Sequence, residues 1–470
     1  MSRDRYRQKF HLSPPYGFMN DPNGVSYYKG IYHVFYQWNT NFPKEKRIHW
    51  GHFYSDDMVN WKHGKPVLAP VDWYDKNGCY SGSALEYNEK LYAYYTGNVK
   101  NENNIRSSYQ CLAVSNDGFS FEKYERNPLI NGNPKGYTSH FRDPKVWLGK
   151  DGIGYMVIGA QREDNTGTVA LYSSENMIEW KYIGDISRKK LGFMWECPDL
   201  FKLEGSDVLI FCPQGLESEG DLYNNIYQCG YMVGSLDIDK AEFISGEFIE
   251  LDRGFEFYAP QTMLNPDRRR ILYAWMGMPE EENQPSIKDN WVHCMAMPRE
   301  LYISNGKLIQ RPFREIEKLK ENSVELGLME IKEGHVKIPE FSGESTNIKV
   351  MLKNKGAKEF GIYLKASSDF EEKTILKVNA QTNKIELDRN NSGLWGRGVR
   401  RAQLKSTDLV ELDIYLDQSS VEVFVNGGEE TFTARVFPSR EGRLFGVFSK
   451  GGSVEIVKAE KSDMREAVEF

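Results

Sequence analysis

Three short stretches carry acidic side chains beside residues that would hold them still. Asn20-Asp21-Pro22-Asn23-Gly24, Arg142-Asp143-Pro144 and Glu196-Cys197-Pro198 each set a carboxylate one or two positions before a proline. Proline fixes its own φ, removes an N–H donor and pushes the residue before it out of the α region, so Asp21 is expected to be extended. A carboxylate fixed at the mouth of a strand can act as a nucleophile. Two carboxyl groups, one attacking or directing water and one donating a proton to a leaving oxygen, are what glycoside hydrolysis requires. Taken singly, each stretch reads at least as well as a turn, because Asx and Pro serve local hydrogen bonding wherever a chain reverses.

The spacing favours chemistry. Five polar mouths, anchored at Asp21, Ser81, Asp143, Glu196 and Ala259, lie 60, 62, 53 and 63 residues apart. Each leads into a strand, a turn and a second apolar strand, at 31–38, 91–97, 155–159, 208–212 and 271–275. Between the mouths runs a second repeat, Ser-x-(Asp/Asn)-x-x-x-aromatic, starting at Ser55, Ser115 and Ser174. A period near 60 with about four strands per unit predicts a five-bladed β-propeller. The first strand of each blade lines the channel, so Asp21, Asp143 and Glu196 should converge on one funnel. After Pro312 the texture changes. Residues 314–321 read as a short charged helix, and later runs alternate apolar and polar residues, with Asn426-Gly427 as a hairpin signal. The expected fold is therefore all-β: a propeller over 1–312, a linker over 313–324 and a β-sandwich over 325–470.

Composition narrows the partners. The net charge of −7 comes with no basic block, so nucleic acid is not expected. The charged N-terminus lacks the apolar core of a secretory signal, and no apolar run approaches the ~20 residues of a membrane span, so no membrane partner is expected. The six cysteines form no Cys-x-x-Cys pair, and no histidine cluster has metal-ligand spacing. No metal or other cofactor is expected, and the scattered thiols suit a reducing, cytoplasmic compartment.

Within the funnel, Asp21 and Asp143 are expected to raise the pKa of Glu196 and keep it protonated, while Arg142 holds Asp143 ionised. Asn20, Gln37, Trp50, Tyr80, Ser81, Tyr258 and Trp275 fall at strand ends around it. They supply the amides, hydroxyls and aromatic faces that a small sugar needs.

Five of these segments, in order, resemble the motif set of glycoside hydrolase family 32: Phe18-Met-Asn-Asp-Pro-Asn-Gly24, Phe141-Arg-Asp-Pro144, Trp195-Glu-Cys-Pro-Asp-Leu-Phe201, Phe257-Tyr-Ala-Pro-Gln261 and Pro298-Arg-Glu-Leu301. Ser419-Ser-Val-Glu-Val-Phe-Val-Asn-Gly427 resembles the sandwich of that family. The resemblance implies a retaining β-fructofuranosidase with Asp21 as nucleophile, Glu196 as general acid/base and Asp143 as transition-state stabiliser. Asn20, Gln37, Ser81 and Arg142 would hold the fructosyl ring. Cys197 is expected to point away from the site, by strand alternation. The loop 42–48 is charged where some members carry an extra aromatic. Its Lys44, Lys46 and Arg47 could meet a phosphate at the rim, although a solvated basic loop is the plainer reading. Sucrose and sucrose 6-phosphate are the expected substrates. The alternatives are an exo-acting fructanase on inulin or levan, an inverting glycosidase, and a non-catalytic carbohydrate-binding propeller, which would have lost at least one of the three carboxylates.

Overall fold

Strand alternation accounts for the first half of the molecule. The computed structural model describes residues 4–470, and residues 17–312 form five sheets, each built around an antiparallel meander. The innermost strands are Gly17–Tyr28, Cys79–Tyr87, Tyr137–Leu148, Met194–Leu203 and Tyr258–Leu264, each followed by a meander toward the outside. Side chains on a strand alternate between faces, so one strand can serve two cores. In the second blade, Ala93 and Tyr95 pack against Phe35 and Trp50 of the first blade. Tyr94, between them, packs with Met156 and Ile158 of the third. Val157 turns the other way, toward Leu209 and Phe211 of the fourth blade. Val208 and Ile210 meet Leu272 and Ala274 of the fifth. Ile271 and Tyr273 complete the ring against Val25 and Val34 of the first. Tyr, Trp and Phe recur in all five wedges of core between blades, beside a larger number of aliphatic side chains, and this use contributes to the high aromatic content.

The outer repeat has a local cause. Ser55, Ser115 and Ser174 each bond through Oγ to the side chain two residues on. That Asp57, Asp117 or Asn176 accepts two backbone N–H groups further along. The residue after it is left-handed in all three: Met58, Gly118 and Met177, with φ of 62°, 81° and 64°. The motif is thus a side-chain-stabilised turn that aims the outermost strand. The ring is closed by a short strand, Trp291–Val292, which pairs in parallel with Gly17–Phe18.

A 3-10 turn at Arg314–Leu319 leads directly into Lys320–Leu326, the first strand of the sandwich. Two sheets of seven and six strands enclose one apolar core, including Ile348, Phe360, Ile414 and Val447. The sandwich docks on the propeller through a buried polar seam. The N-terminal segment runs along this seam, with the backbone N–H groups of Lys9, Phe10 and His11 donating to Asp417. His11 bonds Asp417 and Glu422, both at 2.9 Å, and Arg299 bonds Glu422 at 2.7 Å and Asp252 at 3.0 Å. Arg389 bonds Glu256 at 2.7 Å. The chain end returns to the propeller: Val468–Glu469 pairs in parallel with the outer strand Trp61–His63 of the first blade. The last residues of the 325–470 segment therefore hydrogen-bond to a blade and not to the sandwich. No helix among the described residues is long and apolar enough to cross a membrane.

Candidate active site

Every mouth carries a β-bulge. The register slips between Met19 and Pro22, Tyr80 and Gly82, Arg142 and Lys145, Glu196 and Asp199, and Tyr258 and Gln261. A bulge lets two consecutive residues escape strict alternation and re-aims their side chains. Asp143, Cys197 and Ala259, each followed by proline, are held at positive φ of 67°, 49° and 47°. This backbone is costly for residues with a Cβ, by about 1–3 kcal/mol each, and persists where surrounding structure enforces it. Gly82 avoids a different conflict, because a Cβ there would lie 1.9 Å from the Tyr94 carbonyl oxygen.

The bulges bring the three carboxylates together. Asp21 Oδ2 accepts hydrogen bonds from Gln37 Nε2 at 3.0 Å and Ser81 Oγ at 2.5 Å, and Oδ1 accepts from Asn20 Nδ2 at 3.0 Å. Gln37 also bonds Ser81. Asp143 is buried; its Oδ2 accepts the Cys197 backbone N–H at 3.1 Å, and its own N–H donates to Thr96 Oγ1. Glu196 Oε1 accepts from Arg142 Nη2 at 2.5 Å, while Oε2 accepts from Tyr258 OH at 2.5 Å and Gln214 Nε2 at 2.7 Å.

The electrostatics reverse two expectations. Burial works to raise the Glu196 pKa, but Arg142, Tyr258 and Gln214 together hold it below the usual carboxylate range. Glu196 is not the carboxyl kept protonated by its neighbours. Asp143 is: burial above all, with the charges of Glu196 and Asp21, pushes it up to about 7 against the opposing pull of Arg142. Arg142 does not hold Asp143 ionised, because its Nη2 is committed to Glu196 and its Nε stands 3.8 Å from Asp143.

Cys197 also departs from the sequence reading. Its thiol points into the funnel, with Sγ 3.6 Å from Asp21 Oδ2 and 3.7 Å from Asp143 Oδ2. Burial pushes its pKa well up, so it stays a neutral thiol between two carboxylates. The cause is the bulge: with prolines 22, 144, 198 and 260 aligned, Cys197 and not Glu196 matches Asp21, Asp143 and Ala259. Glu196 matches Arg142 and Tyr258. That alignment was available in the sequence as the signal for Cys197.

The aromatic residues divide. Tyr258 reaches the site through its hydroxyl. Trp50 does not face the funnel; it is 0% exposed in the core between the first two blades, and its indole N–H donates to the Tyr80 carbonyl at 3.0 Å. It positions the strand that bears Ser81. Trp275 stands edge-on to Tyr258 and Phe18 but is 3% exposed, so it offers no open face to a sugar. Tyr80 is half-buried at the rim, with Lys46 Nζ and Arg106 Cζ over its ring. The charged loop does supply an aromatic, since Phe42 packs against Phe18 at 5.3 Å between ring centroids. Lys44 and Arg47 are exposed. Sequence reasoning also missed Gln214 and His140, whose Nδ1 lies 3.0 Å from Arg142 Nη1. His140 is drawn down to about 4 by burial and by Arg142 and Arg106, and is neutral.

Comparison with known proteins settles the family. The model of the glycosyl hydrolases family 32 N-terminal domain matches residues 11–312, and that of the family 32 C-terminal domain matches 315–463. The chain belongs to glycosyl hydrolase family 32. It is 44% identical over 449 residues to a sucrose-6-phosphate hydrolase of Bacillus subtilis, covering 93% of this chain and 90% of that protein. Its fold superposes on the sucrose-6-phosphate hydrolase of Lactobacillus gasseri with a TM-score of 0.90 at 30% identity, covering 98% and 94% of the two chains. A GH32 β-fructofuranosidase of Bombyx mori gives 0.86 at 32% identity, covering 100% and 96%. The family 32 motif Pro298-Arg-Glu-Leu301 lies away from the funnel: Arg299 serves the seam between the two halves.

Proposed function

We propose that this chain hydrolyses sucrose or sucrose 6-phosphate as a retaining β-fructofuranosidase. The observation that carries the reading is the meeting of Asp21, Asp143 and Glu196 in one funnel, with a single arginine among them. Asp21 attacks the anomeric carbon of the fructosyl unit. Its Oδ2 is held by Gln37, Ser81 and Cys197, while Oδ1 has one donor and keeps lone pairs for attack. As the bond from that carbon to the glycosidic oxygen breaks, Glu196 gives the oxygen its proton, and the glucosyl part departs as an alcohol. Water then attacks the fructosyl ester and gives a proton to the Glu196 carboxylate, and Asp21 is released.

Glu196 must bind a proton for the first step, although Arg142, Tyr258 and Gln214 favour its charged form. A sugar seated over it removes water and competes for those donors, and both effects raise its proton affinity. Asp143, protonated or ionised near pH 7, bonds the fructose hydroxyls. Asn20, Gln37, Ser81 and Arg142 hold the ring. The six cysteines are unpaired, which supports a reducing, cytoplasmic setting.

The test is fructose release from sucrose, sucrose 6-phosphate and inulin, with the first-formed anomer followed by NMR. Retention gives β-fructofuranose before mutarotation. Faster release from inulin than from either disaccharide would favour an exo-fructanase, and initial formation of the α anomer would sink the double displacement.

A further inference from the structure

The rim of the funnel carries positive charge that the hydrolysis just described does not use. Lys46 and Arg106 come from neighbouring places in adjacent blades: Lys46 lies in the connection between the second and third strands of the first blade, and Arg106 is the first residue of the third strand of the second. Both turn toward Tyr80, with Lys46 Nζ 5.9 Å and Arg106 Cζ 5.7 Å from the ring centroid. Tyr80 precedes Ser81, whose hydroxyl bonds Asp21, so the two cations stand one residue from the funnel floor. Among the described residues neither has a carboxylate within 4 Å, whereas Arg142 below them is paired with Glu196. Arg106 is also near enough to help depress His140. Two cations gathered at one ring repel each other, and the negative face of the ring offsets only part of that cost. An anion there would complete the balance.

The leaving group supplies one. Asp21 and Asp143 fill the floor, so the fructosyl unit lies deepest and the glucosyl unit must extend toward the rim. We propose that Lys46 and Arg106, braced on Tyr80, bind the 6-phosphate of the glucosyl moiety and make the enzyme selective for sucrose 6-phosphate. This rests on the β-fructofuranosidase reading above. A phosphomonoester carries about −1.5 to −2 charges at neutral pH and three acceptor oxygens. The guanidinium fork of Arg106 can take two of them, and the Lys46 ammonium serves as a mobile point charge. Lys44, Lys46 and Arg47 of this loop are all exposed, but of the three only Lys46 stands over the Tyr80 ring, so the other two are left out of the clamp.

The experiment compares kcat/KM for sucrose 6-phosphate and for sucrose in the wild type, Lys46→Ala, Arg106→Ala, the double variant and Arg106→Lys. Each alanine variant should lower the ratio of the two constants by about tenfold, the loss of one hydrogen bond to a charged group. The double variant should lower it further, mainly through KM for the phosphorylated sugar. Arg106→Lys should recover part of the ratio. Glucose 6-phosphate, as a competitive product inhibitor, should weaken in step. Variants that lose equally on both sugars, or keep the wild-type ratio, would overturn the clamp and leave the hydrolase reading intact. A wild-type enzyme releasing fructose from neither sugar would sink that reading and this inference with it.

Discussion

Two clusters of buried carboxylates in the molecule are treated in opposite ways. At the seam between propeller and sandwich, Asp252, Glu256, Asp417 and Glu422 each touch a cation, supplied by His11, Arg299 or Arg389. In the funnel, three carboxylates share Arg142, and Asp21 has no cationic side chain within 4 Å among the described residues. The seam is neutralised, and the result is cohesion. The funnel is left short of positive charge, and the result is one carboxyl whose proton affinity reaches the neutral range. Where charge balance is completed, the groups stop being reactive; where it is withheld, they stay available for proton transfer.

The contrast can be broken most sharply by Asp21→Asn. Fructose release should fall by at least about 10³-fold, because the nucleophile is gone. The melting temperature should hold or rise, since a repulsive charge has been removed. A loss of stability with activity retained would erase the distinction. The converse is Arg299→Met, which leaves Asp252 and Glu422 without their arginine in a dry site. Destabilisation of about 3–5 kcal/mol is expected in urea denaturation, while the folded fraction should turn over at a rate near that of the wild type.

The two regions also differ in their pH windows. The two seam carboxylates raise His11 to about 9, against an opposing desolvation that is the largest single influence. A histidine whose folded pKa exceeds its unfolded value near 6.5 stabilises fully below that value, and the contribution is lost as pH rises toward 9. Wild-type stability should therefore drop between pH 6.5 and 9, and His11→Gln should flatten that drop. Asp143, raised to about 7, binds its proton more tightly when folded, so its influence on stability declines between its unfolded value near 4 and pH 7. Asp143→Asn should accordingly melt higher than wild type at pH 8 and show a smaller difference at pH 5, while losing activity at both. This is the smallest of the expected stability effects, and melts across pH would detect it.

The repeat near 60 residues carried the propeller, because each blade repeats one turn chemistry and one polar mouth. The same periodicity brought Asp21, Asp143 and Glu196 to one place. Strand alternation misled at Cys197, because the period-2 rule fails at a bulge and the left-handed φ there turns the thiol inward. Trp50 and Trp275 read in the sequence as sugar contacts because they fall near strand ends at the mouth. Whether such a ring faces a channel or the next blade depends on packing between units that no single repeat displays. The charge balance was also hidden. It depends on Arg142 choosing Glu196 over its own neighbour Asp143, a matter of side-chain reach and not of order along the chain.

The return of Val468–Glu469 to the first blade matters for handling the protein. Without those two residues, Trp61–His63 would offer unpaired N–H and C=O groups along a free border. A trimmed C-terminus would then invite one molecule to add its strand to another, and trouble from such a deletion would surface as self-association in concentrated samples before it reached the chemistry.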